Sequence, residues 1–244
     1  MMKNVLILGA TSDMAQAIAK KFSAEGWSLT LAALEPDLLE PIAGDLRVRA
    51  ETEIKTLEFD ATDFSSHRGF YESLESRPDA VICVFGYMGD QISARTDFNE
   101  VQKTIEINYT GAVSILSVVA EDFEKRGSGS IAGVSSVAGD RGRQSNYIYG
   151  SAKAGFTVYL SGLRNRLSKA GVNVMTVKSG FCRTKMTENM ELPAALTATP
   201  EQVANAVFHG LNKKRNTVYI LWMWRWIMLV IRHIPEFIFK KMGL

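Results

Sequence analysis

Short apolar runs and longer amphipathic stretches alternate along the whole length of this chain. Seven runs rich in Val, Ile, Leu and Ala predict strands: Val5–Leu8, Ser28–Ala33, Leu57–Phe59, Ala80–Phe85, Ser130–Val134, Val172–Val177 and Val218–Leu221. Helical stretches lie between them, over Met14–Ala24, Asn99–Arg126, Tyr149–Lys169 and from Pro200, with Thr199 as its cap. This alternation predicts an α/β fold, a doubly wound parallel sheet with right-handed crossovers.

We expect one domain over residues 1–220 and a C-terminal extension over residues 221–244. A chain of 244 residues suits a single core, and no linker or internal repeat interrupts the alternation. Its two cysteines do not make a disulfide framework, which favours a reducing, cytoplasmic location. The apolar start is too short for a signal peptide, and no uncharged apolar run reaches the ~18 residues of a membrane span.

The extension is basic and aromatic. It contains three of the chain's four tryptophans, Trp222, Trp224 and Trp226. From residue 210 onward seven Lys or Arg face one Glu, a charge of +6, whereas the whole chain is +2 and the remainder therefore −4. A helix over Leu221–His233 would align Arg225 and Arg232 on one face, opposite apolar side chains, and Pro235 would start a second short helix.

Two interpretations of the extension stay open. Basic, aromatic and apolar residues over a length too short to span describe an interfacial segment, in peripheral contact with the inner face of the membrane or with a lipid-linked substrate. Alternatively, the apolar face packs against the domain or forms a dimer contact. The overall charge gives no indication of a nucleic-acid partner, and we expect none.

A hydroxyl, a phenol and an ammonium occur at intervals that suit proton transfer. Ser136 is followed thirteen residues later by Tyr149, and Lys153 lies four residues after Tyr149. On a helix Tyr149 and Lys153 share a face, about 6 Å apart. A nearby ammonium favours the phenolate and draws its pKa of about 10 toward neutrality. The spacing predicts a catalytic unit, although Tyr-x-x-x-Lys also arises by chance on amphipathic helices.

The first strand and first helix are joined by a turn that suits a pyrophosphate. In this position of a doubly wound fold a dinucleotide lies on a helix N-terminus. Gly9 permits the tight turn, while Thr11 and Ser12 offer hydroxyls and N–H groups. Asp13 and Ala15 replace the usual second and third glycines, and we expect the Asp13 side chain to cap the helix. An ordinary strand–helix cap would explain the turn equally well.

Two other strand ends point the same way. Asp60 follows the third strand, where a carboxylate can accept from an adenine amino group. Gly86 follows the fourth, where close approach of a ribose needs a small residue. Both are also common turn and loop residues.

Together these segments resemble the short-chain dehydrogenase/reductase family over essentially residues 3–220. The segments concerned are Gly9–Ala15, Asp60–Asp63, Ile107–Gly111 with Asn108, the Ser136–Tyr149–Lys153 spacing, and Lys178–Thr184 with Ser179 at the family's usual proline. The family's Asn-Asn-Ala-Gly segment appears as Cys83–Gly86, so only its glycine remains. The resemblance implies a Rossmann fold and an NAD(P)-dependent oxidoreductase.

The resemblance also implies roles for individual residues. Tyr149 would be the acid or base, Ser136 would hold the substrate oxygen, and Lys153 would lower the pKa of Tyr149 and bind the nicotinamide ribose. Asn108 would support a water that relays protons to Lys153. The implied cofactor-binding residues are Gly9, Thr11, Ser12, Asp13, Met14, Glu35, Asp60, Ala61, Gly86, Tyr149, Lys153, Gly180 and Thr184, with Thr184 on the carboxamide.

The choice between NAD(H) and NADP(H) depends on the end of the second strand. NADP-preferring members often carry an arginine there, at the position of Leu34. Glu35 could accept from the ribose hydroxyls and repel a 2′-phosphate, which favours NAD(H) slightly. Glu35 could equally cap the next helix.

The resulting functional hypothesis is a ketoreductase acting on an amphiphilic or lipid-linked substrate. The extension also resembles that of short-chain reductases acting on decaprenylphosphoryl-linked keto-pentose. One alternative is a cytosolic reductase of a small keto or sugar substrate that uses the extension to oligomerise; another is a non-catalytic nucleotide-binding regulator. The family resemblance implies a homo-oligomer, a dimer or tetramer formed through Asn99–Arg126 and Tyr149–Lys169.

Overall fold

The computed structural model describes residues 3–50, 52–188 and 191–243. A seven-stranded sheet lies at its centre, in the order β3-β2-β1-β4-β5-β6-β9, and every neighbouring pair is parallel. Its strands are β1 (Asn4–Leu8), β2 (Ser28–Ala33), β3 (Ile54–Glu58), β4 (Ala80–Cys83), β5 (Ser130–Ser136), β6 (Asn173–Ser179) and β9 (Thr217–Tyr219). A separate two-stranded sheet pairs β7 (Phe181–Cys182) with β8 (Thr197–Ala198).

Helices cover both faces of the large sheet. They are α1 (Asp13–Ala24), α2 (Glu40–Arg49), α3 (His67–Glu72), α4 (Phe98–Ile105), α5 (Gly111–Arg126), α6 (Tyr147–Leu167), α7 (Pro200–Asn212), α8 (Met223–His233) and α9 (Glu236–Phe239). Side chains of α1, α2 and α7 form the core on one face, and those of α3, α5 and α6 form it on the other. Strands β1 and β4 are buried along their whole length, which explains their nearly continuous apolar sequences. Strand β6 is also fully buried, although it carries polar residues such as Thr176 and Lys178. The predicted doubly wound fold is confirmed.

Two predicted elements differ from the structure. The third strand covers Ile54–Glu58, because this edge strand is half exposed and carries Lys55 and Thr56 between its apolar residues. The helix predicted over Asn99–Arg126 is interrupted by a π-helical segment, Glu106–Thr110, between α4 and α5. An extra residue in that turn shifts the register between the two helices.

The C-terminal extension folds back onto the domain. Its helix α8 buries Trp224 and Met228 against Val137, whereas Trp222 and Trp226 are 72% and 57% exposed. The chain then turns at Pro235 into α9, as the sequence predicted.

Arg141 fixes the junction between α8 and α9. It donates hydrogen bonds to Ile231 O (2.7 Å) and to the Glu236 carboxylate (2.8 Å), and it lies 3.7 Å from the centre of the Phe239 ring. Within the described residues, every helix is too short or too polar to cross a membrane.

Candidate active site

The carboxyl ends of β4, β5 and β6 meet the start of α6 around one cleft. Among the residues lining it are Gly86, Ser136, Tyr149, Lys153, Gly180 and Thr184, all predicted from the sequence. Met14, at the start of α1, lines the same cleft. The fold therefore brings the predicted hydroxyl, phenol and ammonium together with one end of the predicted cofactor site.

Ser136 ends β5 and is held by two hydrogen bonds. Its hydroxyl donates to Ser179 O at 3.2 Å and accepts from the Ala138 N–H at 3.1 Å. The Ala138 bond caps a short helical turn, Val137–Gly139. Because backbone groups of Ser179 and Ala138 fix the hydroxyl, Ser136 presents a defined polar group to the cleft.

Lys153 is 3% exposed, and its side chain extends from α6 to β5. Its Nζ donates to Val134 O at 3.1 Å, and a Cβ placed on Gly86 would lie 3.3 Å from Nζ. Burial lowers the pKa of the ammonium to about 8, an effect partly opposed by Cys83. At pH 7 the group is still mostly charged, but it gives up a proton more readily than an exposed lysine.

Tyr149 lies in the first turns of α6, with Lys153 Nζ 5.7 Å from the centre of its ring. Burial raises the pKa of the phenol to about 12, and a hydrogen bond with Ser136 partly opposes this. The pKa of Tyr149 is therefore raised overall and is not drawn toward neutrality, contrary to the expectation from spacing. Because desolvation is the largest effect, Tyr149 at neutral pH is a phenol with a proton to donate.

Asn108 lies in the π-helical segment and is 1% exposed. Its Nδ2 donates to Thr104 O at 2.9 Å and to Tyr87 O, while its Oδ1 accepts from Tyr87 N–H at 3.2 Å. A Cβ on Gly86 would come within 3.0 Å of Oδ1, so Gly86 keeps Asn108 and Lys153 close to each other. The poor helix formers Asn108 and Gly111 were the available sequence signal for this interruption.

The turn after β1 depends on Gly9, whose φ is +84°. A Cβ at this position would lie 2.6 Å from the backbone nitrogen of Phe85, so a side chain cannot be accommodated. Ser12 caps α1 by accepting from Ala15 N–H at 3.2 Å, and Thr11 lies between the glycine and this cap.

Asp13 does not cap α1, contrary to the sequence prediction. Its carboxylate accepts from Lys185 N–H at 2.7 Å, on the segment that follows Thr184. This turns the negative charge toward the segment after β7 and leaves the cap to Ser12. Thr184 itself starts the short helical turn Lys185–Thr187.

Glu35 and Asp60 lie at neighbouring strand ends. Glu35 is exposed and occupies the N-cap position of the short helical turn Pro36–Leu39, as the alternative interpretation expected, but its side chain makes no capping hydrogen bond. Asp60 Oδ1 accepts from both the N–H and the hydroxyl of Thr62 at 2.7 Å, which lowers the pKa of Asp60 and keeps it ionised. The Ala61 carbonyl packs so closely on Gly111 that a Cβ there would lie 2.0 Å away.

The extension supplies a wall of the cleft. The Trp224 indole covers Gly180, where a Cβ would lie 2.1 Å from Nε1, and Nε1 donates to Leu196 O at 3.1 Å. Sequence reasoning left open whether this helix packs on the domain, and one face of it does.

Sequence reasoning missed Arg143 and Asn146. Both line the cleft, on the segment between Ser136 and Tyr149. The available signal was a polar run between two candidate catalytic residues.

These residues fit a nicotinamide dinucleotide. The Gly9 turn at the N-terminus of α1 has no room for a side chain, and Gly86 leaves its backbone open beside Lys153. Lys153 and Thr184 would hold the nicotinamide end, and the Gly9–Ser12 turn the pyrophosphate.

The sequence profile of the short chain dehydrogenase family matches residues 3–194. The chain belongs to this family. It is accordingly an NAD(P)-dependent oxidoreductase, as the sequence resemblance implied. An uncharacterized oxidoreductase of Mycobacterium tuberculosis is 36% identical over 241 residues, covering 98% of this chain and 96% of the relative. One of Streptomyces coelicolor is 34% identical over 243 residues, with the same coverage of both chains.

Solved structures agree with the fold. A short-chain dehydrogenase from Sphingobium yanoikuyae in complex with NADPH has a TM-score of 0.83 at 22% identity, covering 96% of this chain and 97% of its own. Actinorhodin polyketide ketoreductase with NADPH has a TM-score of 0.80 at 20% identity, covering 89% and 95%.

Proposed function

We propose that this protein reduces a keto group, with Tyr149 as the proton donor. The observation that carries the proposal is the shared cleft of Ser136, Tyr149 and Lys153. Bound NAD(P)H supplies the hydride to the carbonyl carbon. Ser136 holds the carbonyl oxygen and Tyr149 gives it a proton, so ketone, hydride and proton become an alcohol.

Lys153 would stabilise the phenolate of Tyr149 and help to reprotonate it for the next turnover. Loss of the proton leaves a buried phenolate on Tyr149, and the ammonium 5.7 Å from the ring centre stabilises that charge. Because the pKa of Lys153 is about 8, the lysine can also pass a proton onward near neutral pH. We assign Asn108, packed beside Lys153 across Gly86, to support the return of the proton from water.

We propose NAD(H) as the preferred cofactor. Two residues after β2, the exposed Glu35 carboxylate would accept from ribose hydroxyls and repel a 2′-phosphate, which supports this preference. NADPH accompanies two structurally similar proteins, so titration by nicotinamide fluorescence decides the question. Tighter NADH binding, reversed in Glu35→Arg, is expected; tighter NADPH binding by the wild type would refute the preference.

We propose an amphiphilic or lipid-linked substrate, because of the outer face of α8. Trp226, Leu229 and Val230 are exposed on this face, and Trp222 is exposed directly before the helix. Arg225 and Arg232 lie along one edge. Aromatic and basic groups in this arrangement suit an interface with anionic lipid. The inner face of the same helix forms the cleft wall through Trp224, which would bring a lipid surface close to the reaction.

Flotation with vesicles containing anionic lipid tests the surface contact. The wild type should float, and a Trp222→Ser/Trp226→Ser variant should float several-fold less while keeping its fold by circular dichroism. Equal recovery would end the membrane proposal and favour the alternative, an extension that joins two subunits. Light scattering of both proteins measures that alternative, including a dimer or tetramer formed through α4, α5 and α6.

Reduction of a ketone series tests the reaction itself. NADH or NADPH consumption with ketones of increasing alkyl length should rise with chain length. Turnover that peaks for short hydroxyketones would favour a small keto or sugar substrate. Cofactor binding without turnover of any ketone would favour a nucleotide-binding regulator.

A further inference from the structure

The segment between Ser136 and Tyr149 carries three charged side chains, two of which are fully engaged. Asp140 pairs with Lys178 and accepts from the Tyr219 hydroxyl at 3.0 Å. Arg141 holds the α8–α9 junction as described above. These two residues attach the segment to the sheet and to the extension.

Arg143 has no comparable set of partners. Its guanidinium has five N–H groups, and among the described residues it makes one hydrogen bond, from Nη2 to Val137 O at 3.3 Å. Its Nε is enclosed by protein and has no partner in the described part of the chain. Burial lowers the pKa of the group, yet at neutral pH it keeps its charge. Arg143 therefore carries a partly desolvated cation into the cleft.

Arg164 shows what a structural arginine looks like in this fold. Its guanidinium is also partly buried, but it donates to Val174 O at 2.7 Å, Thr176 Oγ1 at 2.8 Å and Asn216 O at 2.7 Å. These bonds tie α6 to β6 and to the start of β9. Arg143 makes one hydrogen bond among the described residues, so four of its five N–H groups are left for a group outside the chain.

Asn146 adds an unused acceptor in the same cleft. It lies three residues before Tyr149, and its Oδ1 is buried without a partner among the described residues. A buried polar atom left unpaired costs about 1–3 kcal/mol. The Arg143 donor and the Asn146 acceptor both carry this cost, and both residues line the cleft that contains Tyr149. This indicates a ligand that forms hydrogen bonds with both.

We propose that Arg143 and Asn146 select carbonyl substrates that carry an oxoanion, a phosphate or a carboxylate, together with a hydroxyl group. The guanidinium binds the oxoanion through its planar N–H groups, and the Asn146 oxygen accepts from the hydroxyl. Arg143 is hydrogen-bonded to Val137 O, and Val137 is the residue directly after Ser136. Because the two groups are this close, the anion and the reacting carbonyl belong to one small molecule or headgroup. This inference rests on the proposed ketone reduction and adds its substrate class.

Competing substrates that differ only in charge test the proposal in the cofactor-loaded enzyme. The ratio of kcat/KM for dihydroxyacetone phosphate to that for dihydroxyacetone should be well above one. In Arg143→Met this ratio should fall about 10- to 100-fold, as expected for lost charge-assisted hydrogen bonds. Arg143→Lys should recover part of it. Hydroxypyruvate as a third substrate separates carboxylate from phosphate, and a long-chain alkyl phosphodiester of dihydroxyacetone separates a lipid headgroup from a free phosphate.

The matched control is Arg166→Met, an exposed arginine of α6 paired with Glu124, which should leave every ratio unchanged. Asn146→Leu should lower the preference for hydroxylated over deoxygenated ketones about tenfold. An unchanged charge ratio in Arg143→Met, with thermal unfolding like the wild type, would overturn the proposal. So would a wild-type enzyme that does not prefer the anionic substrates.

A binding measurement keeps this test separate from catalysis. Calorimetric titration of inorganic phosphate and of acetate into the NADH-loaded protein should show binding that Arg143→Met weakens at least tenfold. If no ketone is reduced but this binding is present, the reaction proposal fails and the anion site stands. If neither anion binds in an Arg143-dependent way, the anion site is wrong even if ketones are reduced.

Discussion

The two sides of the cleft differ in what forms them: backbone on one side and side chains on the other. The proposed nucleotide side consists of strand ends and close backbone contacts, such as Gly9 against Phe85. The proposed substrate side consists of long side chains from distant segments, with Trp224 covering Gly180 and Arg141 holding the helix that carries Trp224. On the first side the close backbone contacts exclude larger residues. On the second side, different side chains could change the chemistry of the cleft while the backbone stays the same.

Two tryptophans of one helix provide the strongest test of this comparison. Trp224→Ala removes a wall residue that is 4% exposed and should lower the free energy of unfolding by about 3–5 kcal/mol. Trp226→Ala removes an exposed residue and should change it by less than about 0.5 kcal/mol. Urea denaturation of both variants measures the difference, and equal losses would show that α8 does not form a wall of the cleft.

Lys153 joins the two sides and should make stability depend on pH. Its folded pKa of about 8 lies below the usual 10.5, so between these values the unfolded chain binds more protons. Stability therefore rises with pH across this window, by about 3 kcal/mol in total. Tyr149, whose folded pKa is raised to about 12, opposes this only above about pH 10.

Denaturation at pH 7 and pH 9.5 checks this prediction against a variant. Lys153→Met lacks the buried titrating group, so the stability of the wild type should rise more between the two values than that of the variant. If the free energy of unfolding changes equally in both proteins between pH 7 and pH 9.5, burial does not lower the pKa of Lys153.

Two glycines with similar backbone angles test the rigidity of the nucleotide side. Gly9 has φ +84° and Gly26 has φ +78°, but only at Gly9 would a Cβ meet backbone. Both alanine variants suffer the left-handed strain, and Gly9→Ala should cost a further 1–3 kcal/mol for overpacking. It should also weaken NADH binding more than Gly26→Ala does. If the two variants are equally stable, the close contact at Gly9 is not limiting.

The division also explains what the sequence could predict. The alternation of strands and helices and the tight turn at Gly9 depend on local sequence pattern, and both were predicted correctly. The spacing of Ser136, Tyr149 and Lys153 predicted a common site, and the three residues line one cleft. The raised pKa of Tyr149 depends on burial by many segments, and the partner of Asp13 lies 172 residues away. Arg143 and Asn146 were missed because an unpaired group is recognisable only after all its neighbours are placed. The π-helical segment at Asn108 was missed because a single inserted residue hardly alters an apolar period.

The central claim is that Tyr149 delivers the proton in a hydride-transfer reaction, and single-turnover reduction by the Tyr149→Phe variant tests it most directly. We mix this variant with saturating NADH and a ketone that the wild type reduces. Its rate of reduction should be about 10²–10⁴-fold lower than that of the wild type. Its affinity for NADH, measured by nicotinamide fluorescence, should stay within a few fold of the wild type. A variant that binds NADH normally and still reduces the ketone at a rate close to the wild type would contradict the role of Tyr149.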